Sequence, residues 1–298
     1  MLDKFTHLHV HSHYSLLDGL AKIDELIEKA KACGMDALAI TDHGVMYGVV
    51  EFYKKAIAAG IKPIIGAEMY LTTGSRLEKT AGKSDIRYHL ILLAKDKTGY
   101  HNLVKLVTKA HLEGFYYKPR IDKELLEKYH EGLIALTACP QGEIPSALLA
   151  GDWAKAKKLV SEYTKVFGKG NFYLEIMDHP NDLNQVRLNE QLIKLAEEAE
   201  APLVATNDTH YLNKEDDDVH DVLLCVQTNR TVGEKERMTM KGEDYSLKPA
   251  DEMIRAFRNI PEAIKNTQKI TEMCNLKLEL DKIELPHFPL PEDKTPDI

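Results

Sequence analysis

Thr6-His7-Leu8-His9-Val10-His11-Ser12-His13, with Asp18 a few residues on, alternates imidazoles with apolar or small side chains. A β-strand sends successive side chains to opposite faces, so the pattern predicts a first strand over 5–11 with His7, His9, His11 and His13 projecting together. Imidazole and carboxylate donors suit Zn²⁺, Mn²⁺ or Fe²⁺. Several of them beside an acidic loop point to a metal cluster. The plain alternative is a polar strand face of ordinary hydrogen-bonded histidines. A purification tag is a poor fit, because its histidines would be contiguous.

Outward from this segment, short apolar runs alternate with amphipathic stretches as far as about residue 211. Further strands are predicted at 37–41, 63–68, 89–94, 133–137, 172–176 and 202–206. Near-continuous apolar runs of this length read as strands buried on both faces. Helical patterns lie between them, over Lys22–Cys33, Val49–Ala59, Tyr100–Leu112, Asp152–Phe167 and Leu183–Ala199, with Gly34, Gly60 and Gly168 placed as C-terminal stops. Seven successive β–α steps imply an α/β fold, a closed or nearly closed parallel barrel of TIM type. After Leu212 the rhythm stops. Helices are expected at 216–226, 249–257 and 261–273, and then a proline-rich stretch reads as an extended linker. The predicted organisation is a barrel over 1–211, a helical extension over 212–284 and a linker over 285–298 leading towards something absent, as in a fragment of a larger protein.

Composition narrows the class of function. The 298 residues are 44% hydrophobic and 29% charged, as in globular proteins, and 39 Lys plus Arg against 47 Asp plus Glu leave a net charge of −8. That argues against sequence-independent duplex binding through a broad basic face. It does not exclude a nucleic-acid substrate at a metal site, where the ions supply local positive charge. No run approaches the roughly 18 apolar residues of a membrane helix, and the Met-Leu-Asp-Lys start is no signal peptide, so no membrane partner and a cytoplasmic location are expected. The four cysteines (Cys33, Cys139, Cys225, Cys274) are widely separated, which indicates neither a disulfide framework nor a zinc ribbon.

In such a barrel the reactive groups sit at the C-terminal ends of strands. Those positions carry His9, His11 and Asp18; Asp42 and His43; Glu68; Cys139; and Asp208 and His210. His89 is anomalous, since it opens its strand instead of ending it. Asp42 has three readings, a ligand, a hydrogen-bond partner of a ligand or a helix cap, of which the latter two are favoured. Each motif alone is weak. Their convergence, if the barrel closes, is what carries the expectation of a metal site.

His9-x-His11, Asp18-Gly19, Thr41-Asp42-His43-Gly44, Gly66-x-Glu68, Tyr88-His89, Cys139 and Asn207-Asp208-x-His210 resemble the motifs of the PHP (polymerase and histidinol phosphatase) domain. Tyr14 to Gly19, Tyr116 to Asp122 and His220 to Thr228 are more narrowly similar to the alpha subunits of bacterial replicative DNA polymerase III. The resemblance implies a distorted seven-stranded barrel with a helical extension and three divalent ions (Zn²⁺, Mn²⁺ or Fe²⁺, with Mg²⁺ less suited to so many imidazoles). One ion would be held by His9, His11, Glu68 and Asp208. A second would be held by Glu68, His89 and Cys139, and a third by Asp18, His43 and His210. Glu68, Asp208 and His43 are the expected catalytic residues. His13 is left as a support for a ligand, and His179, after the sixth strand, reads as a surface residue with phosphate orientation as the alternative.

The activity that follows is metal-dependent phosphodiester hydrolysis, as a 3′→5′ proofreading exonuclease in DNA replication, with the polarity taken from the resemblance alone. Its substrate would be a DNA 3′ end. The remainder of the polymerase subunit, a sliding clamp and a separate proofreading subunit are the implied partners. The polymerase active site itself is not in these residues. Arg76, Lys83 and Arg87 in the loop after Glu68, and Tyr117, Lys118 and Arg120 in an aromatic–cation run, are candidate DNA contacts. Two other readings stay open. One is a histidinol-phosphatase-like phosphomonoesterase. The other is a structural domain that stabilises the polymerase and binds a proofreading subunit, its metal cluster vestigial.

Overall fold

The computed structural model describes residues 4–79, 86–280 and 282. Lys83 and the expected linker at 285–298 lie outside the described residues. The strands are β1 (Ala37–Ile40), β2 (Lys62–Thr72), β3 (Arg87–Ala94), β4 (Arg120–Ile121), β5 (Leu133–Leu136), β6 (Phe172–Met177) and β7 (Leu203–Thr206). They form one curled sheet in the order β1-β2-β3-β5-β6-β7, with β4 added beside β2. Around it stand α1 (Ile23–Ala32), α2 (Val49–Ala59), α3 (Lys97–Leu112), α4 (Lys123–Tyr129), α5 (Glu143–Leu149), α6 (Trp153–Phe167) and α7 (Leu183–Ala199). Asp96, Asp122, Asp152 and Asp182 cap α3, α4, α6 and α7, each carboxylate accepting a backbone N–H of the first turn. The extension contributes α8 (Asp217–Thr228), α9 (Ala250–Ala256) and α10 (Pro261–Met273). Among the described residues no helix is long and apolar enough to cross a membrane.

The sheet is apolar on both faces, and strand alternation sorts its residues into two layers. Ala37, Ala39, Ile64, Ile91, Leu93, Ile134, Leu136, Tyr173 and Val204 pack together with Ile270 and Cys274 near the end of α10. Leu38, Ile40, Ile65, Leu90, Leu92 and Ala135 belong to a larger cluster shared with the surrounding helices. Continued by twos along each strand, the first layer becomes polar, at Thr41 and His43, Glu68, His89, Glu175, and Thr206 and Asp208. One layer therefore serves as core at its apolar end and offers the candidate ligands at the other.

Two expectations need correction. The barrel is not wholly parallel: β3 runs antiparallel to both β2 and β5, while β1–β2, β5–β6 and β6–β7 are parallel. Among the described residues no crossover helix separates β2 from β3, and the chain returns beside the strand it has just left. This resolves the position of His89. The beginning of an antiparallel strand lies at the same mouth as the ends of its parallel neighbours.

The second correction concerns 5–11, which is extended but not a regular strand; its one ladder contact is a bridge between Val10 and Thr209. The segment still links the two sheet edges. Ala39 N–H donates to His7 O at 3.0 Å and Thr41 N–H to Val10 O at 2.8 Å, while His11 N–H donates to Thr209 O at 2.8 Å. Residues 7 to 10 thus face 39 to 41, a one-residue excess that breaks the alternation as a bulge does. Leu8 accordingly packs in the inner layer and Val10 in the outer one. The four histidines cannot share a face.

Candidate metal centre

His9 and His11 turn inward together, their Nε2 atoms 3.1 Å apart. His7 turns away, its Nε2–H donating to Lys248 O at 2.8 Å, and His13 lies against Tyr14. The nine residues expected as ligands from the resemblance do converge on one mouth of the sheet. His9 Nε2 is 3.0 Å from Asp208 Oδ1, and His11 Nε2 is 3.3 Å from the same oxygen. Glu68 lies among four imidazoles. Its Oε1 is 2.8 Å from His89 Nδ1 and 3.6 Å from His9 Nε2, and its Oε2 is 2.6 Å from His43 Nδ1 and 3.4 Å from His11 Nε2. Cys139 Sγ is 3.5 Å from His89 Nδ1. His43 Nε2 reaches Asp18 Oδ2 at 2.9 Å, and His210 Nε2 is 3.8 Å from Asp18 Oδ1.

Most of these close approaches are not satisfied hydrogen bonds. Glu68 Oε1 and Oε2, Asp208 Oδ1, Asp18 Oδ1 and His43 Nδ1 are all buried without a hydrogen-bond partner. Buried polar atoms are ordinarily paired, and five unpaired ones around one point are a donor set lacking its acceptor. Three groups place their donor atoms within 4.8 Å of one another: His9, His11 and Asp208; His43, Glu68 and His89; and His11, His43 and His210. Imidazole, carboxylate and thiol in such proximity fit a borderline divalent cation, so the residues are compatible with metal binding.

Ring orientation is set by partners outside the cluster. His9 Nδ1–H donates to Glu175 Oε1 at 2.7 Å, and Thr206 Oγ1 donates to the same oxygen at 2.6 Å. Ser15 Oγ donates to Asp42 Oδ1 at 2.7 Å and stands 3.0 Å from His11 Nδ1. His210 Nδ1–H donates to Asp208 O at 2.7 Å. In all three histidines the Nδ1 proton is fixed outward and the Nε2 lone pair is left for the centre. Asp42 is therefore a hydrogen-bond anchor for the loop, as expected, since it also accepts from Ser12 N at 2.7 Å. Glu175 was not foreseen. Its sequence signal is a lone carboxylate inside the otherwise apolar run Phe172–Met177.

Backbone strain accompanies the site. Asp208 itself has φ 49°, and Leu17 and Ala138, just before Asp18 and Cys139, have φ 61° and 60°. Gly44, after His43, takes φ 63°, and a Cβ there would come within 2.7 Å of Pro119. Electrostatics follow the crowding. Burial opposes ionisation of Glu68, yet His89, His43 and His9 hold it well below the usual carboxylate range. Asp208 is likewise held low, against burial, by His9 and His210. His43, despite its burial, is pushed up to about 10 by Glu68 and Asp18, whereas burial and its histidine neighbours push His11 down to about 3. Burial, with Glu68 and Asp208, drives the Cys139 thiol well up. The carboxylates stay anionic and demand positive charge, which protons or cations can supply.

The candidate DNA contacts fare unevenly. Arg120 is wholly buried, its guanidinium donating to Gly114 O at 3.0 Å, Arg76 O at 3.0 Å and Glu78 O at 2.7 Å. Arg76 is also buried, paired with Asp122 at 3.0 Å and Glu113 at 2.7 Å. Neither can meet a nucleic acid, because carbonyls and carboxylates from separate segments already engage them. Tyr117 is exposed, and Lys118 is exposed with its Nζ 5.4 Å from the Tyr70 ring centre. Tyr70 in turn borders His43 and His89, at 6.0 and 5.2 Å between centroids. Arg87 is partly buried at the start of β3. His179, expected at the surface, is buried against Tyr245, 4.2 Å between ring centroids.

The DNA polymerase III subunit alpha of Borreliella burgdorferi is 46% identical over 290 residues, 97% of this chain and 25% of that protein. The corresponding Thermus aquaticus subunit is 44% identical over 305 residues, 98% of this chain and again 25% of its own length. The chain thus spans about a quarter of the length of the curated relatives it matches. Among solved structures, an amidohydrolase from Chromobacterium violaceum matches with a TM-score of 0.48 and 16% identity, over 69% of this chain and 87% of that one. The sequence pattern of the PHP domain covers residues 7–179, more than half of the chain. On that match, and with the motif residues gathered at one mouth, the chain belongs to the PHP domain family.

Proposed function

We propose that this chain is the metal-dependent phosphoesterase portion of a polymerase III alpha subunit, hydrolysing phosphodiesters at a DNA 3′ end in the 3′→5′ direction. The observation that carries the proposal is Glu68, a buried carboxylate ringed by four imidazoles with neither oxygen hydrogen-bonded. Such a group is stable only when its charge is met by cations. Three divalent ions are assigned to His9, His11, Glu68 and Asp208; to Glu68, His89 and Cys139; and to Asp18, His43 and His210. The DNA substrate and the polarity rest on the likeness to polymerase subunits.

Bound divalent ions would supply Lewis acidity and neutralise phosphodiester charge. The protein's own contribution is placement. His9, His11 and Glu68 form the closed floor, with side chains 0%, 0% and 1% exposed, whereas Asp18 and His43 are 13% and Asp208 10% exposed. Substrate oxygens therefore meet the Asp18–His43–Asp208 side first. Lys118, its Nζ 5.4 Å from the centre of the Tyr70 ring beside His43, would take a backbone phosphate, and the exposed Tyr117 ring would stack on a base. Arg87, at the start of β3, would add a further contact. Residues 1–211 form the catalytic unit, 212–284 an extension and 285–298 a lead into the polymerase body, which would supply the further partners.

The test is release of nucleoside monophosphate from a 3′-labelled oligonucleotide by the metal-loaded chain, alone and joined to its polymerase body, beside phosphate release from small monoesters. Mononucleotide release that chelation abolishes and Asp208→Ala removes is the expected result. Full metal loading without hydrolysis in either setting would instead point to a structural role. Phosphate release from monoesters alone would point to a phosphatase.

A further inference from the structure

Asp18, one of the three residues assigned to the third ion, has few supports of its own. It sits on a loop after Leu17, whose φ is 61°, and its neighbours Leu16 and Leu17 are 67% and 47% exposed, so these two side chains give it little anchorage. Its carboxylate Oδ1 has no hydrogen-bond partner. What holds its backbone from outside the loop is α8. His220 Nε2–H donates to Asp18 O at 2.9 Å, and the same nitrogen is 4.0 Å from Asp18 Oδ1. The His220 ring also packs edge-on against His210, 5.6 Å between centroids, and tilted against Tyr211 at 5.3 Å. One buried imidazole thus touches both the carboxylate residue and one of the histidines of that subsite.

The helix carrying it is tied down away from the centre. Arg237 makes paired contacts of 2.6 Å to the two oxygens of Asp221, and Thr239 Oγ1 donates to Asp221 Oδ1 at 2.7 Å. Both His220 and Asp221 are buried. They lie beyond residue 179, where the PHP domain match ends. We infer that His220 is a positioning residue that aims Asp18 and His210, so that the helix after the barrel completes the third metal subsite. The inference rests on the metal-centre reading given above.

Metal content of the 298-residue chain, measured by elemental analysis after graded chelation, tests it. The wild type should hold three ions. His220→Ala should lose one and retain two, with affinity for the lost ion lower by about 10- to 100-fold, the usual effect of removing a ligand's supporting partner. His220→Gln, whose amide N–H can reach the same carbonyl, should recover it. Arg237→Ala, which frees α8 from outside the centre while His220 stays in place, should reproduce the selective loss and carries the test if His220→Ala does not fold. Three tightly held ions in both alanine variants would overturn the inference. So would loss of all three together without rescue by glutamine, since that is general structural damage. A wild type holding fewer than three ions would instead overturn the metal-centre reading itself.

Discussion

Glu175→Ala offers the most direct probe of how the centre is built. Glu175 Oε1 accepts from His9 Nδ1–H at 2.7 Å and from Thr206 Oγ1–H at 2.6 Å, and all three residues are buried. Alanine strands both donors. An unsatisfied buried donor costs about 1–3 kcal/mol, so the metal-free variant should lose about 2–6 kcal/mol of unfolding free energy, against about 5–15 kcal/mol for a typical domain. A second effect should appear in metal binding. Without Glu175 the His9 ring can rotate or exchange tautomers, and affinity at the His9–His11–Asp208 site should fall about 10- to 100-fold. Urea unfolding in chelator reads the first effect and metal titration the second. Glu175→Gln keeps an acceptor oxygen and should fall between wild type and alanine in both. An alanine variant with an unchanged urea midpoint and unchanged metal affinity would refute the reasoning.

Three further outcomes are expected. Arg120→Ala should cost more than about 3 kcal/mol in denaturant unfolding, because three backbone carbonyls lose their donor. Lys118→Ala should leave unfolding unchanged while weakening binding of single-stranded DNA and lowering the slope of log affinity against log salt by about 1. Burial depresses His7 to about 4, so below about pH 6.5 the unfolded chain takes up a proton that the folded chain refuses. The stability at stake is whole above pH 6.5 and is lost as pH falls to about 4, at about 1.4 kcal/mol per pH unit. Unfolding curves at pH 7 and pH 5 in chelator should therefore show a smaller acid loss for His7→Gln than for wild type.

The helices and most strands were legible from local pattern, because periodicity reports which residues are buried and residues such as Gly60 mark where a helix must stop. The candidate ligand types were legible too, as His, Asp and Glu placed in or beside apolar runs, although Glu68, expected to end its strand, lies inside β2, which runs on to Thr72. Strand direction was not. An apolar run such as His89–Ala94 looks the same whichever way it runs, and only its ladders with β2 and β5 decide that it is antiparallel. Nor could alternation show that Leu8 and Val10 part company, because the extra residue lies in a pairing between distant segments. Arg76 and Arg120 read as cations for a ligand until the fold surrounded them with carboxylates and carbonyls. Glu175 and His220 gain their roles in the same way, from neighbours 166 and 202 residues away in the chain. Side-chain chemistry and local burial are written residue by residue, but which donor meets which acceptor is settled only when the sheet curls and its edges are joined.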